Sequence, residues 1–246
     1  VRFLILSDIH ANWEALEAVL TDSAGEYDRI LCCGDVVGYN PNPAEVVEWA
    51  RRNCHTVIRG NHDKAVAGIE GLEWFNEVAQ SAALWARAQL NDDQLAWLRD
   101  LPAGPVVVEN CTVMHGAPFD EDYYLATLED VAACHSFLAT PLSFFGHTHL
   151  QGAFFFRGRR LGRCPPLGEG HRDTVIQLDP DSVFIVNPGS VGQPRDGDPR
   201  AGYAIWNNEE KTVTLRRIVY PVETTCRKIS ESGLPDLLAA RLEQGL

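Results

Sequence analysis

Phe3-Leu4-Ile5-Leu6-Ser7-Asp8-Ile9-His10-Ala11-Asn12 is the stretch from which the remaining chain is read. Four consecutive apolar residues, ended at once by a polar turn, specify a short buried strand. That strand carries Asp8 and His10, two ligand types of different chemistry, to its carboxyl end. Further candidate ligands follow later apolar runs in the same way: Asp35, Asn61 with His62, His115, and His147 with His149. One Asp or His so placed means little. Its repetition points to a metal centre.

The segments around that strand alternate in type. Trp13, Leu16, Val19 and Leu20 recur at helical spacing, with Asn12 as a cap and Glu14 at the positive end. Ile30 to Cys33 reads as a second buried strand ending in Gly34-Asp35. Asn42 and Pro43, followed by Glu45, open another helix by a reciprocal cap. Thr56 to Ile58 forms the third strand, ending at Arg59-Gly60-Asn61-His62-Asp63. Short apolar strands separated by helices predict parallel pairing. Leu72, Phe75, Val78, Ala79, Ala82 and Trp85 predict a long helical face, and Asn91 with Gln94 opens the next helix. Residues from about 68 to 100 thus read as a helical insertion within one domain spanning residues 1–246. Strands at 106–108, 112–114 and 142–145 and a helix over 128–139 follow.

After residue 151 the pattern becomes antiparallel, with strands expected at 152–156, 174–178, 183–186, 202–207 and 212–219. A Gly/Pro/Arg-rich loop at about 162–172 is expected to be exposed or to face substrate. Residues 224–243 read as helical, broken near Gly233-Leu234-Pro235. Together these elements predict two packed sheets with helices outside, each sheet built mainly by one part of the chain.

Composition narrows the function. A net charge of -13 excludes a broad basic surface for nucleic acid, although bound cations would let a phosphorylated substrate approach. The seven cysteines form no paired framework and no CxxC, which favours a reduced, cytoplasmic chain. No apolar run approaches the roughly 18–20 residues of a membrane span, and the N-terminus reads as a strand, not a signal peptide. No P-loop and no nucleophile-elbow triad occurs.

The candidate ligands carry the chemistry. In Asp8-Ile9-His10 and His147-Thr148-His149 two polar groups are separated by one residue, so a tight loop can converge them. Carboxylates mixed with imidazoles suit Mn, Fe, Zn, Co or Ni better than calcium or magnesium, and Mn is the expected ion. Asp35, after a glycine at a strand end, is placed to reach two ions, and Asn61 offers an oxygen without added charge. Either pair alone is as readily surface or core. Five of the eight histidines, however, lie just past apolar runs; His55, His135 and His171 fit no motif.

Asp8-x-His10, Gly34-Asp35, Gly60-Asn61-His62-Asp63, His115 and Gly146-His147-x-His149, in that order, resemble the calcineurin-like metallophosphoesterase superfamily. The segment Asn187-Pro188-Gly189-Ser190-Val191-Gly192-Gln193-Pro194-Arg195 is similar to an element of its small bacterial and archaeal phosphodiesterase-like branch. The resemblance implies an α/β fold, a four-layer αββα sandwich of two mixed sheets flanked by helices. It implies one ion held by Asp8, His10, Asp35 and His149, and a second by Asp35, Asn61, His115 and His147. His62 would be the catalytic histidine outside both ligand sets, with Asp63 orienting it. On this basis the chain is expected to hydrolyse phosphoesters, as a diesterase first and a protein or small-molecule phosphatase second. A non-catalytic, metal-stabilised interaction module is a distant third. Expected substrates are a phosphorylated small molecule, a nucleotide or a phosphoprotein, with no membrane partner. Arg195 and Asn12 are the candidate substrate contacts, Asn40 could support either metal or substrate, and Arg157, Arg159, Arg160, Arg163 and Arg172 could add charge at the mouth.

Overall fold

Strand β1 (Arg2–Leu6) sorts its side chains by alternation: Phe3 and Ile5 face a second sheet, whereas Leu4 and Leu6 face helices. All four are fully buried, each contributing roughly 1.5–3 kcal/mol by leaving water. The computed structural model describes residues 1–165 and 171–246. Helix α1 (Trp13–Asp22) begins where the Asn12 side chain accepts the Ala15 N–H, and it lays Leu16 and Val19 against the helix face of β1. Strands β2 (Arg29–Cys32) and β3 (Thr56–Val57) extend the sheet in parallel, with α2 (Pro43–Asn53) between them. Asn42 precedes α2 but does not cap it. Its amide donates to Glu45, and its carbonyl accepts from Lys228, a partner distant in sequence.

Helix α3 (Asn61–Ala67) follows β3, and α4 (Glu77–Gln89) starts later than the apolar spacing predicts. Asn76 is its cap, so Leu72 and Phe75 lie in the preceding turn. Helix α5 (Asp92–Asp100) has the expected reciprocal cap between Asn91 and Gln94. Strands β4 (Val106–Val108), β5 (Cys111–Val113) and β6 (Leu142–Phe144) come next. Between the last two, α6 (Leu128–Cys134) tightens into a 3-10 turn at His135–Phe137, short of the expected end.

The remaining strands are β7 (Gly152–Arg157), β8 (Arg160–Arg163), β9 (Asp173–Gln177), β10 (Val183–Asn187), β11 (Ala201–Asn207) and β12 (Thr212–Ile218). Helices α7 (Val222–Ser232) and α8 (Asp236–Gln244) close the chain, separated by left-handed Gly233. The start of the expected 162–172 loop is strand instead, because β8 pairs with β7; residues 166–170 lie outside the described residues.

Two mixed six-stranded sheets result, ordered β3-β2-β1-β11-β12-β9 and β4-β5-β6-β10-β7-β8. The expectation that each part of the chain builds its own sheet is therefore wrong. The second edge of β1 is covered by β11, antiparallel from Arg2 opposite Asn207 to Ile5 opposite Ala204. An unpaired edge beside so apolar a strand would invite foreign pairing. Between the sheets Phe3 stacks on Trp206 with centroids 4.8 Å apart, joined by Leu31, Val113, Phe144 and Val186. Helices α1 to α5 pack on the outer face of the first sheet, α7 against α1, and α6 on the outer face of the second, which completes the four layers.

Candidate metal centre

The carboxyl ends of β1, β2, β5 and β6 meet at one edge of the sandwich, and the loops that leave them turn unusually tightly. Seven of the nine non-glycine residues with positive φ among the described residues lie there: Asp8 (51°), His10 (48°), Ala11 (56°), Asp35 (54°), Tyr39 (57°), His147 (65°) and His149 (59°). Each costs on the order of 1–3 kcal/mol, tolerated where surrounding structure fixes the loop. These left-handed residues are how the Asp8/His10 and His147/His149 pairs converge. Two glycines permit the close approach. A Cβ on Gly60 would overlap Asp35 Oδ1, and one on Gly146 would overlap Ser7 Oγ and crowd Asp8 Oδ2.

The imidazoles are oriented by main-chain carbonyls. His10 Nδ1 lies 3.0 Å from the Val37 carbonyl, His115 Nδ1 2.8 Å from that of Cys33, and His149 Nδ1 bonds that of Gln193. A carbonyl only accepts, so each Nδ1 carries a proton and each Nε2 points inward, as a lone pair on His10 and His149 and as the nitrogen for which proton and cation compete on His115. His147 is reversed: its Nε2 meets the Asp122 carbonyl at 3.0 Å, which leaves Nδ1 for the interior. His10 Nε2 and His149 Nε2 stand 3.1 Å apart, two acceptors facing each other with no proton between them.

The carboxylates complete two clusters, Asp8-His10-Asp35-His149 and Asp35-His115-His147, whose ligand atoms lie within 4.8 Å of one another in each. Asp35 Oδ2 is 3.5 Å from His10 Nε2 and 3.4 Å from His115 Nε2, and it has no hydrogen-bond donor. Its other oxygen accepts the His62 N–H at 2.9 Å. Asp8 Oδ1 lies 3.3 Å from His149 Nε2, while its oxygens accept from Ser7 and the His147 N–H. Asn61 Oδ1 sits 3.3 Å from His115 Nε2, which brings it to the second cluster. All seven expected ligands thus come together. Inward lone pairs and a buried carboxylate oxygen without a donor fit divalent cations.

Electrostatics points the same way. Burial pushes the Asp8 carboxyl up to about 7, holds His10 and His149 well below the usual imidazole value, and lowers His147 to about 3. Burial also opposes the charges of Asp35 and His115, but their mutual attraction outweighs it. Asp35 stays well below the carboxylate range, and His115 rises to about 10. A proton on His115 and a cation at the cluster compete for the same nitrogen.

His62 lines a cavity of about 620 Å³ beside the clusters, as do Asn61 and His147. Its ring contacts Tyr39, His10 and Phe75 at centroid distances of 4.3, 4.8 and 4.7 Å, and its Nδ1 has no partner. Asp63 makes no hydrogen bond to its ring. Both Asp63 oxygens accept main-chain N–H groups, from Val37 at 3.1 Å and Gly60 at 3.0 Å, so Asp63 ties the Asp35 loop to the start of α3. Asn12 is likewise committed elsewhere: its oxygen caps α1 and its amide bonds Gly192 and Tyr220. Asn40 bonds the His10 carbonyl and braces that loop. Asn187 and Ser190 bond main-chain groups of the Gly146 and Asp8 loops.

Arg195 does reach the site. Its guanidinium donates to the Tyr39 hydroxyl at 3.1 Å and leaves Nε without a partner. Arg157, Arg159, Arg160, Arg163 and Arg172 are absent from the walls of this cavity; Arg157 pairs with Asp179 and Arg172 with Asp22. Tyr39, Trp74, Phe75 and Tyr124 also line it, and the sequence singled out none of them for the site. Gly38-Tyr39 beside the Asp35 loop was the available signal for Tyr39.

This arrangement defines a phosphoesterase of the two-sheet, metal-dependent kind. The profile of the calcineurin-like phosphoesterase superfamily domain matches residues 1–211, and the chain belongs to that family, whose members hydrolyse phosphoric esters. It is 38% identical to a metallophosphoesterase from Sphaerobacter thermophilus of known crystal structure, with a TM-score of 0.86 over 100% of this chain and 99% of that one. An uncharacterized protein of Methanocaldococcus jannaschii is 36% identical over 98% of this chain and 97% of its own length. A hypothetical protein from Pyrococcus horikoshii shares the fold at 19% identity, with a TM-score of 0.78 over 100% of this chain and 98% of the other.

Proposed function

We propose that the chain is a dinuclear, manganese-favouring phosphodiesterase. The observation that carries this reading is the Asp35 Oδ2 atom, without a donor and almost equidistant from His10 and His115 Nε2. Asp8, His10, Asp35 and His149 would hold one ion, and Asp35, Asn61, His115 and His147 the other. When bound, two such cations supply Lewis-acid charge to phosphoryl oxygens and acidify a water for in-line attack. His62 borders the same cavity. Burial lowers its pKa to about 4, so it is neutral here and offers an N–H donor. A leaving oxygen that gains negative charge beside it accepts that hydrogen bond. The acid role itself needs the imidazolium, which forms when an anionic phosphate beside the ring raises its pKa and solvent supplies the proton that passes to the leaving oxygen. Asp63 and Asn40 hold the loops that bear His62 and His10, so the donor keeps its place.

The diester is favoured by the cavity's charge. Its walls carry Glu70 and Asp122 and no arginine or lysine, a poor setting for a monoester dianion. A second reading, a phosphomonoesterase, rests on the partnerless Arg195 Nε, which could meet one extra phosphate charge. Hydrolysis of bis-p-nitrophenyl phosphate and p-nitrophenyl phosphate, each with Mn²⁺ and with EDTA, decides between them. Preferential, EDTA-sensitive turnover of the diester is expected; preference for the monoester overturns the first reading, and no turnover of either overturns both.

We infer further that residues 1–246 act as one unit with α4 and α5 as an insertion over the site. The seven cysteines are all free, which suits the reducing cytoplasm. Among the described residues no helix is long and apolar enough to cross a membrane.

A further inference from the structure

The cavity beside the metal clusters is asymmetric. Asn61, His147 and His62 line it, whereas Asp8, His10 and His149 do not. The open volume therefore lies over the second cluster and His62, the side on which the leaving group departs in the reading above. That side is aromatic. Trp74, in the turn before α4, is 94% exposed, and Phe75 next to it meets the His62 ring edge-on at 4.7 Å. Across the cavity Tyr124 lies against His147 with centroids 3.9 Å apart and its ring half open to solvent.

An indole so exposed, beside a catalytic cavity, gains nothing from the protein's own packing. Flat rings on both sides of a cavity this size suit a planar ligand, and the volume falls within the usual 300–1,000 Å³ of small-molecule sites. The polar rim narrows the chemistry. Glu70 and Asp122 remain 52% and 42% exposed although each pairs with Lys64, so they present acceptors to the cavity. Carboxylates repel a polyphosphate tail or an acidic phosphopeptide and are wasted on an acyl chain. They suit the amino and ring N–H donors of a nucleobase.

We infer that the leaving group of the natural phosphodiester carries a nucleobase, stacked on Trp74 within the cavity that Tyr124 closes. This rests on the phosphodiesterase reading and names its substrate class. Trp74 is then a specificity-determining residue, since it touches the base and not the reacting atoms.

The test compares adenosine 2′,3′-cyclic phosphate with methyl β-D-ribofuranoside 2,3-cyclic phosphate, five-membered diesters that differ only in the base, on the Mn²⁺-loaded protein. The wild type is expected to favour the nucleoside ester by roughly tenfold or more in kcat/KM, the scale of one base stacked on an aromatic ring. Trp74→Ala is expected to collapse that ratio mainly through KM, and Trp74→Phe to restore most of it. A wild-type ratio near one, or a ratio that Trp74→Ala leaves alone, overturns the proposal. Adenosine titration followed by tryptophan emission is the second arm: quenching in the wild type that disappears in Trp74→Phe supports the stacking, and no quenching refutes it. If neither ester is turned over, the hydrolase reading fails, and the emission titration still decides whether a base binds.

Discussion

At the level of single residues, the centre depends on which imidazole nitrogen carries a proton, and that is set by main-chain carbonyls. Asp35 is the residue whose loss should do most damage. In Asp35→Asn the amide oxygen can still accept the His62 N–H that Asp35 Oδ1 now accepts, so the loop should persist. The shared negative oxygen is gone, however. Retained manganese after dialysis, measured by atomic absorption, should fall well below that of the wild type, with activity down ~10²-fold or more; unchanged metal content would mean that Asp35 holds no ion. His62→Ala should behave differently. It keeps every ligand, so the metal content should match the wild type, while turnover of a diester with an alkyl leaving group falls ~10²-fold, more than for p-nitrophenolate, which departs without a proton. Equal losses on both esters would rule out the acid role. That the candidate ligands gather in one place was legible because each follows an apolar run in a block of recognisable spacing. The bonds that Asp63 and Asn12 make were not legible, because their partners, Val37 for one and Gly192 and Tyr220 for the other, are remote in sequence. Nothing local marks such a carboxylate or amide as already satisfied.

Among the elements, α3 joins the site to its surroundings. Asn61 and His62 open the helix and face the cavity, and one residue past Asp63 comes Lys64, whose side chain is 1% exposed. Its ammonium meets Glu121 at 3.2 Å and Asp122 at 2.6 Å, while Arg59 bonds Glu121 through two nitrogens. The loop that these charges hold presents the Asp122 carbonyl to His147. Burial of Glu121 favours its neutral form, but the bonds from Arg59 and Lys64 prevail and hold its pKa below the ordinary 4.5. A depressed carboxyl stabilises the fold above its unfolded value and loses that contribution as pH falls through the folded one. Glu121→Gln should therefore cost about 1–3 kcal/mol in urea unfolding at pH 7, as one buried cation loses a charged partner. The gap to the wild type should begin to close below about pH 4.5. A gap that widens on acidification would contradict the sign. Lys64 reads in the sequence as an ordinary helical lysine, and only the tertiary fold shows that it is enclosed. The misplaced start of α4 has a similar cause: Leu72 and Phe75 have helical spacing but are half-buried from a turn, where the aromatic side chain meets His62.

Across the whole molecule, the ligands do not come from one sheet. Asp8 and Asp35 follow β1 and β2 of the first sheet, whereas His115, His147 and His149 follow β5 and β6 of the second. A cation on either cluster therefore links the two halves of the sandwich, at the same edge where the left-handed loops store strain and two buried carboxylates repel. The two-sheet architecture was legible from strand and helix alternation. Its topology was not, because whether β11 and β12 join β1 or each other's neighbours depends on edges far apart in sequence. That topology has a thermodynamic consequence. A ligand that binds only the folded state stabilises it by about 2.7 kcal/mol at a hundred times its Kd. For a chain of this size each kcal/mol moves Tm by about 2–4 °C, so Mn²⁺ should raise Tm by about 5–10 °C over the EDTA-treated protein. Because the bond is between sheets, amide exchange should slow at both the β1–β2 and the β5–β6 loop edges. Protection confined to one sheet, or a Tm indifferent to EDTA, would show that no ion spans them and that Asp35 is not shared.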